Sequence, residues 1–221
     1  GIVTAVAQAS KFILQTGATM ILARLLVPAD FGLIAMVTAV TGFIGVFKDA
    51  GLSMATVQRE QISHEQISTL FWLNIAIGSA LMMTTAALSP VLAWFYREPR
   101  LVGVTLALSA TFLFSGLAIQ HQALLRRQMR FKDLAIVELV ALLAGVFTAV
   151  TVAAYTRSFW ALVAMHIVNP LVCAVGVWLA VKWIPGKPCR GCGARPMMYF
   201  GVNLMSFNAL ARSVSFADNF L

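Results

Sequence analysis

Long apolar stretches follow one another through almost the whole of this 221-residue chain and leave little sequence for a soluble domain. A helix needs about 20 mostly apolar residues to cross about 30 Å of hydrocarbon, because lipid offers no partner for an exposed backbone N–H or C=O group. Six stretches reach roughly that length, and a seventh begins near the C-terminus. The sequence therefore predicts an all-α, polytopic transmembrane helix bundle with six complete spans and the start of a seventh.

Short turns that contain proline or charged residues separate the predicted spans. Pro28 ends the first span because proline cannot continue the hydrogen-bond ladder of a helix. The predicted spans cover residues 2–26, 31–57, 67–96, 101–125, 134–155 and 159–183. We predict a six-helix transmembrane bundle at residues 1–184, a basic cytoplasmic loop at 185–196 and the truncated start of a second bundle at 197–221. Because the chain begins without Met and breaks off inside an apolar segment, we expect it to be a fragment.

The basic residues are concentrated in alternate loops of a chain that is 60% hydrophobic and only 11% charged. Ten lysines and arginines belong to one predicted side of the membrane, and four belong to the other. The positive-inside rule therefore places the loops after the second, fourth and sixth spans in the cytoplasm, together with the N-terminus. Since this distribution explains the formal charge of +8, we expect no nucleic-acid binding.

Polar side chains recur along one face of the first predicted helix. Gln8, Lys11 and Gln15 are spaced three and four residues apart, which places them in one stripe. A charged side chain in contact with lipid is costly, so we expect the stripe to face other helices or a hydrated cavity. Two interpretations stay open. The stripe lines a substrate cavity, or Lys11 extends toward the cytoplasmic surface while the amides bond neighbouring helices.

Two further regions place charged and amide side chains within predicted spans. Asn208 and Arg212 lie four residues apart on the seventh segment and repeat the spacing of the first helix. Lys48 and Asp49 lie about two thirds of the way along the second predicted helix, and adjacent residues on a helix point in different directions. Each of these two therefore needs a partner elsewhere. Inward polar faces on several helices favour a central cavity.

Three carboxylates are candidates for coupling transport to a proton gradient, and nothing in the sequence selects among them: Asp49, Glu138 and Asp218. Glu138 lies one turn into the fifth predicted span, near the cytoplasmic face. There we expect it to pair with an arginine of the preceding loop, namely Arg126, Arg127 or Arg130, rather than to relay protons.

The sequence contains no arrangement typical of an enzyme active site. It has no nucleophile beside a base, no carboxylate pair placed for acid–base chemistry and no phosphate-binding glycine loop. Cys189 and Cys192 supply half of a zinc site, so reduced loop cysteines are the simpler expectation. We interpret His166 as a bonded core histidine rather than a ligand. We therefore expect no catalytic residue, no cofactor and no metal, and a protein that binds or carries an anionic amphiphile.

Four strings along the chain resemble one transporter family. They are residues 23–33 (ARLLVPADFGL), 47–52 (FKDAGL), 69–74 (TLFWLN) and 122–132 (QALLRRQMRFK). In this order they resemble the Wzx-type polysaccharide transporters, in particular the colanic-acid-exporter-like branch of the multidrug/oligosaccharidyl-lipid/polysaccharide exporter superfamily. The resemblance implies a protein of two related helix bundles, of which this chain would hold the first and the start of the second.

The resemblance also implies a function and a location. Such proteins are flippases of the bacterial inner membrane that translocate undecaprenyl-diphosphate-linked oligosaccharide repeat units by alternating access, for lipopolysaccharide or exopolysaccharide biosynthesis. The implied partners are this lipid-linked oligosaccharide, membrane lipids and polysaccharide polymerase or export machinery. Arg24 and Lys48 fall within matching strings and become candidate ligands of the diphosphate. For Arg24 the alternative is a role as an interfacial anchor.

Two other functions stay open on the sequence alone. A multidrug extruder of the same superfamily should have an acidic cavity for cationic drugs, whereas this sequence predicts a basic one. A membrane-embedded polysaccharide polymerase or transferase would need a loop that carries catalytic side chains, and the loops here are short.

Overall fold

A computed structural model describes residues 2–48, 52–59 and 62–189 of the chain. These residues form seven α-helices that run in sequence order: α1 (Ile2–Leu25), α2 (Pro28–Gly45), α3 (Leu52–Gln58), α4 (His64–Tyr96), α5 (Arg100–Arg127), α6 (Phe131–Thr156) and α7 (Trp160–Ala180). Within the described ranges there is no β-strand. The prediction of an all-helical fold is therefore confirmed.

Five of the described helices, α2, α4, α5, α6 and α7, are long and apolar enough to cross a membrane. The chain is thus a multi-pass membrane protein. α1 has 24 residues and carries the polar stripe, and it is not among these five. The predicted count of six spans and the start of a seventh is not confirmed. Residues 190–221, which include most of the predicted basic loop and the predicted second bundle, lie outside the described part of the chain.

The second predicted span is interrupted. The sequence predicts one helix over residues 31–57, but α2 ends at Gly45 and α3 begins at Leu52. The last amides before the break, including those of Phe47 and Lys48, bond carbonyls three residues back, which tightens the final turn and ends the helix. The prediction that Lys48 lies within the second helix is therefore wrong, because Lys48 lies in the turn that follows α2.

Local capping explains where several other helices begin and end. Ser63 and Gln66 form a capping box at the start of α4, in which each side chain bonds the other residue's backbone N–H. Arg97 and Arg157 follow α4 and α6 with φ angles of 53° and 46°. A left-handed residue at this position lets the chain reverse while the last helical carbonyls keep hydrogen-bond partners.

α4 and α5 form a closely packed antiparallel pair. A Cβ atom added at Gly78 would lie 2.7 Å from the carbonyl oxygen of Phe112, and one added at Gly116 would lie 2.8 Å from that of Asn74. Neither distance leaves room for a side chain, so the two glycines allow the helix backbones to touch. Among the described helices this pair has the most extensive contact, and α7 packs against α5 beside it.

A chain of buried hydrogen bonds attaches the short helix α3 to this pair. The Gln120 amide nitrogen donates to the Thr56 hydroxyl at 2.8 Å, and the Asn74 amide nitrogen donates to the Gln120 amide oxygen at 3.3 Å. All three side chains are buried. The Arg127 guanidinium donates to the backbone carbonyls of Thr56 and Arg59. These bonds satisfy the Gln120 amide and the Thr56 hydroxyl, which would otherwise be costly to bury, while the Asn74 amide oxygen has no hydrogen-bond partner among the described residues.

The segment of residues 181–189 that follows α7 is bound along the first turns of α4. Four hydrogen bonds between the described residues attach it. At Gly186, the carbonyl accepts from Trp72 Nε1 and the amide donates to Ser68 Oγ. On either side of Gly186, Trp183 Nε1 donates to His64 Nδ1 and the Cys189 amide donates to Thr69 Oγ1. Cys189 is disulfide-bonded, so the expectation of a reduced thiol there is wrong.

Candidate functional site

A cavity of about 700 Å³ lies among α1, α2, α5, α6 and α7. It is bounded on one side by α1, which packs mainly against α6, and on another by α2, which packs mainly against α5. The lining includes amide side chains (Gln8, Gln15, Gln122 and Asn169) and hydroxyl side chains (Thr38, Thr41, Thr111 and Ser115). Its volume falls within the range of small-molecule binding sites, about 300–1,000 Å³, but its walls are more polar than is usual for them.

Two of the lining groups form an ion pair that connects helices distant in sequence. The Lys11 ammonium on α1 donates to the Glu138 carboxylate on α6. Their side chains keep 21% and 29% of their accessible surface, and both residues line the cavity, so the pair is accessible from it. The polar stripe of α1 thus faces the cavity, and its Lys11 contacts α6.

The expectation that Glu138 pairs with an arginine of the preceding loop is wrong. Arg130, which precedes α6, pairs instead with Asp133 in the first turn of that helix at 2.6 Å. Arg127 extends toward α3 and bonds backbone carbonyls there. Since Glu138 lies about two turns inside α6, it is closer to the α1 stripe than to the loop, which sequence spacing alone does not reveal.

Lys48 reaches the same cavity from the turn that follows α2. Its ammonium nitrogen lies 3.5 Å from Ser115 Oγ, at the outer limit of a hydrogen bond. Among the described residues, the structure gives Lys48 no carboxylate partner. With His166 neutral, the described lining carries a net formal charge of +1, from two lysines and one glutamate. An anion that enters the cavity therefore meets a cation whose one hydrogen-bond partner within the described part of the chain is Ser115.

α7 contributes a face that the sequence interpretation missed. His166, Asn169 and Cys173 all line the cavity, and their spacing of three and four residues is the one that identified the stripe on α1. The interpretation of His166 as a bonded core residue is wrong, because it lies half-buried on the cavity wall. Gln122 on α5 donates a hydrogen bond to Cys173 Sγ at 3.3 Å. The strongly apolar residues around these positions concealed the pattern.

The structure thus brings together most of the described candidate residues, namely Gln8, Lys11, Gln15, Lys48 and Glu138. Arg24 is not among them. It lies exposed in the last turn of α1 and does not line the cavity. The other candidates, Asp49, Asn208, Arg212 and Asp218, lie outside the described residues.

The cavity extends from the middle of the bundle toward the end at which α6 begins. Its lining residues on α6 belong to the first half of that helix, those on α1 reach from Gln8 to just past the midpoint at Gln15, and those on α7 lie around its middle. The end at which α1 and α6 begin is also the end at which α5 finishes in Arg126 and Arg127. Among the described residues, no group of three or more His, Cys, Asp and Glu side chains is placed to hold a metal ion. The lysines can bind an anion, and the amides and hydroxyls can bind a hydroxyl-rich group.

These features define a multi-pass helical membrane protein with a polar, lysine-containing cavity. The chain belongs to the family described as "Polysaccharide biosynthesis protein", which matches residues 21–221. The family resemblance found in the four sequence strings is thereby confirmed. No solved structure matches the chain significantly.

Three curated bacterial proteins illustrate the relationship. The chain is 30% identical over 152 residues to the lipopolysaccharide biosynthesis protein WzxC of Escherichia coli (strain K12), an alignment that covers 69% of this chain and 30% of WzxC. It is 28% identical over 166 residues to the succinoglycan biosynthesis transport protein ExoT of Rhizobium meliloti (strain 1021), covering 75% of this chain and 33% of ExoT. The teichuronic acid biosynthesis protein TuaB of Bacillus subtilis (strain 168) is 35% identical over 99 residues, covering 45% and 20%. The chain thus spans about a third or less of the length of these relatives.

Proposed function

We propose that this chain forms the first bundle of an inner-membrane flippase that translocates undecaprenyl-diphosphate-linked oligosaccharide for cell-surface polysaccharide biosynthesis. The observation that carries this proposal is the presence of Lys11 and Lys48 in one polar cavity among α1, α2, α5, α6 and α7. The relative ExoT is named as a transport protein, which agrees with a role in moving cargo rather than in bond-breaking chemistry. The protein would have no enzymatic step of its own.

The chemistry of the proposed cargo matches the chemistry of the cavity wall. A diphosphate that leaves water needs cations or N–H donors, which lysine ammonium groups supply. The oligosaccharide carries hydroxyl groups, and the amide and hydroxyl side chains of the lining can both donate to and accept from them. The polyprenyl chain has no charge to satisfy and would stay in the bilayer beside the bundle.

We place the N-terminus and the cavity end of the bundle on the cytoplasmic side, following the distribution of lysine and arginine. Cargo would then enter from the cytoplasmic leaflet, and movement of this bundle against a second one would release it on the periplasmic side. Within this scheme Glu138 is a candidate coupling carboxylate, and it lines the cavity, whereas the candidates Asp49 and Asp218 lie outside the described residues. A multidrug extruder is less well supported, because cationic drugs would be repelled by the net positive lining.

The test uses cells that make the full-length protein with Lys48→Ala or Lys11→Ala. We expect the lipid-linked oligosaccharide to accumulate in the cytoplasmic leaflet and surface polysaccharide to fall by about tenfold or more, since a partly desolvated phosphate loses a charge-assisted hydrogen bond. Lys132→Ala is the matched control, because Lys132 is exposed in the first turn of α6 and does not line the cavity. Normal surface polymer from both cavity variants, at normal protein levels, would contradict the proposal.

A further inference from the structure

The attachment of α1 to the rest of the bundle differs from that of the other helices. α1 packs mainly against α6, and the Lys11–Glu138 pair joins these two helices inside the cavity. The other ion pairs given by the structure for the described residues, Glu98–Arg100 and Arg130–Asp133, connect groups two or three residues apart and hold no helices together. The contact between α1 and α6 therefore includes an electrostatic link that is open to a ligand.

We propose that Glu138 is an internal counter-anion, which occupies Lys11 while the cavity is empty and is displaced from Lys11 when an anionic headgroup binds. This inference rests on the proposed function, because it assigns to the same cavity a means of sensing its cargo. Binding would exchange one anion for another at the Lys11 ammonium and would break the link between α1 and α6.

The charges of the cavity support an exchange rather than simple addition. Among the described residues Lys48 has one weak contact, to Ser115, and no carboxylate partner, so an incoming phosphate can bind it without breaking any of the described ion pairs. A headgroup that also reaches Lys11 must approach the Glu138 carboxylate, since that carboxylate already accepts from the ammonium. Two anions in contact with one ammonium repel each other in a partly desolvated site. The phosphate carries the greater charge, so Glu138 is the group that leaves.

The consequence is a change in how α1 is held. α4 and α5 are joined by backbone contact at Gly78 and Gly116, which no ligand in the cavity can interrupt. α1 and α6 are joined in part by a pair whose members remain 21% and 29% exposed. A ligand that binds more tightly to the state with the pair broken shifts the population toward that state. Cargo binding would thus loosen α1 specifically and leave the α4–α5 pair unchanged.

The experiment measures binding of geranyl diphosphate, a water-soluble polyprenyl diphosphate, to the full-length protein in lipid nanodiscs. We expect Glu138→Gln to tighten binding by about fivefold, because the competing carboxylate is removed while Lys11 remains. Lys48→Ala should weaken binding. Glu65→Gln is the matched control, since it removes a carboxylate that is exposed in the first turn of α4, outside the cavity lining.

A second measurement needs no change at Glu138 and so remains valid if that variant does not fold. Spin labels at Ile13 on α1 and Ile136 on α6, which are 69% and 60% exposed, report the separation of the two helices by pulsed electron resonance. We expect the separation to increase when geranyl diphosphate is added. In Glu138→Gln the larger separation should be present before addition.

The outcomes separate this inference from the proposed function. If the unaltered protein does not bind geranyl diphosphate, or if Lys48→Ala binds it equally well, the proposed function fails. If the unaltered protein binds it and Lys48→Ala weakens binding, but Glu138→Gln binds no more tightly, the counter-anion inference alone is wrong. An unchanged label separation on ligand binding would likewise overturn the displacement of Glu138 while leaving the carrier function in place.

Discussion

Two glutamines on α5, only two residues apart, belong to regions of opposite character. Gln120 is buried and uses both ends of its amide, one toward Thr56 and the other toward Asn74. Gln122 is half-buried, lines the cavity and bonds the Cys173 sulfur at 3.3 Å. The first region, called the closed region below, is the buried hydrogen-bond chain of Thr56, Gln120 and Asn74 that holds α3, α4 and α5 together. The second is an open wall whose polar groups have capacity left for a ligand.

The difference teaches how to interpret polar residues inside a membrane protein. A polar side chain in an apolar span is expensive wherever it lies, so its presence alone does not separate structure from function. What separates them is whether the protein itself satisfies the group. Within the described ranges, Gln120 bonds two other side chains, whereas Lys48 has one weak contact, with Ser115, and an ammonium group that can donate further bonds.

The largest effect on stability is expected from the closed region. Gln120→Ala removes the donor to the buried Thr56 hydroxyl, which still donates to the Leu52 carbonyl, and the acceptor of the buried Asn74 amide nitrogen. We therefore expect the free energy of unfolding to fall by about 2–4 kcal/mol. Gln122→Ala should cost less than about 1 kcal/mol, because water in the cavity can replace the lost bond to sulfur. Unfolding of the full-length protein in detergent, followed by tryptophan fluorescence, measures both values.

Similar losses of stability in the two glutamine variants would contradict the distinction between the buried and the cavity-lining glutamine. Normal stability of Gln122→Ala together with reduced surface polysaccharide in cells would support it. In that case the side chain would contribute to the cargo pathway and not to the fold. Protein levels in the membrane, measured for both variants, control for a defect in insertion.

Much of the helical framework could be predicted from the sequence, because long apolar stretches end at charged or proline-containing turns. The spans predicted at residues 101–125 and 134–155 agree within three residues with α5 (Arg100–Arg127) and α6 (Phe131–Thr156). The break between α2 and α3 was missed because the apolar pattern continues up to Phe47. The charged Lys48 within that stretch was the available indication of a turn.

The cavity could be predicted only in part. The stripe that contains Lys11 is visible in the sequence because three- and four-residue spacing places side chains on one face of a helix. Its partner Glu138 lies 127 residues away, and such a pairing depends on how α1 packs against α6. Local sequence patterns do not show how two helices so far apart in sequence pack together. The arginines of the loop that precedes α6 are nearer to Glu138 in sequence and therefore were the predicted partners.

We expect the closed region to depend on the backbone contact between α4 and α5 as well as on its hydrogen bonds. Gly78→Ala would place a Cβ atom 2.7 Å from the Phe112 carbonyl oxygen, so α4 and α5 would have to separate. We expect a loss of about 1–3 kcal/mol in the free energy of unfolding, the usual cost of overpacking. Gly42→Ala on α2 is the control, because nothing lies within 4 Å of its added Cβ. Equal stability of the two variants would show that the close contact is not required.

The smallest effect is expected at the segment of residues 181–189, whose bonds to α4 resemble those of the closed region but lie at the surface. Trp72→Phe removes the indole donor to the Gly186 carbonyl and keeps most of the ring packing. The Trp72 side chain is 44% exposed, and water can replace the bond, so we expect a local loss of about 0.5–1 kcal/mol. Hydrogen exchange at the Gly186 amide, which donates to Ser68, should accelerate by about two- to fivefold.

The control is Trp94→Phe, at a position that is 79% exposed, which should leave that exchange rate unchanged. If Trp72→Phe lowered the free energy of unfolding as much as Gln120→Ala does, an exposed hydrogen bond would contribute as much as a buried one. Burial would then not explain why the closed region is more stable.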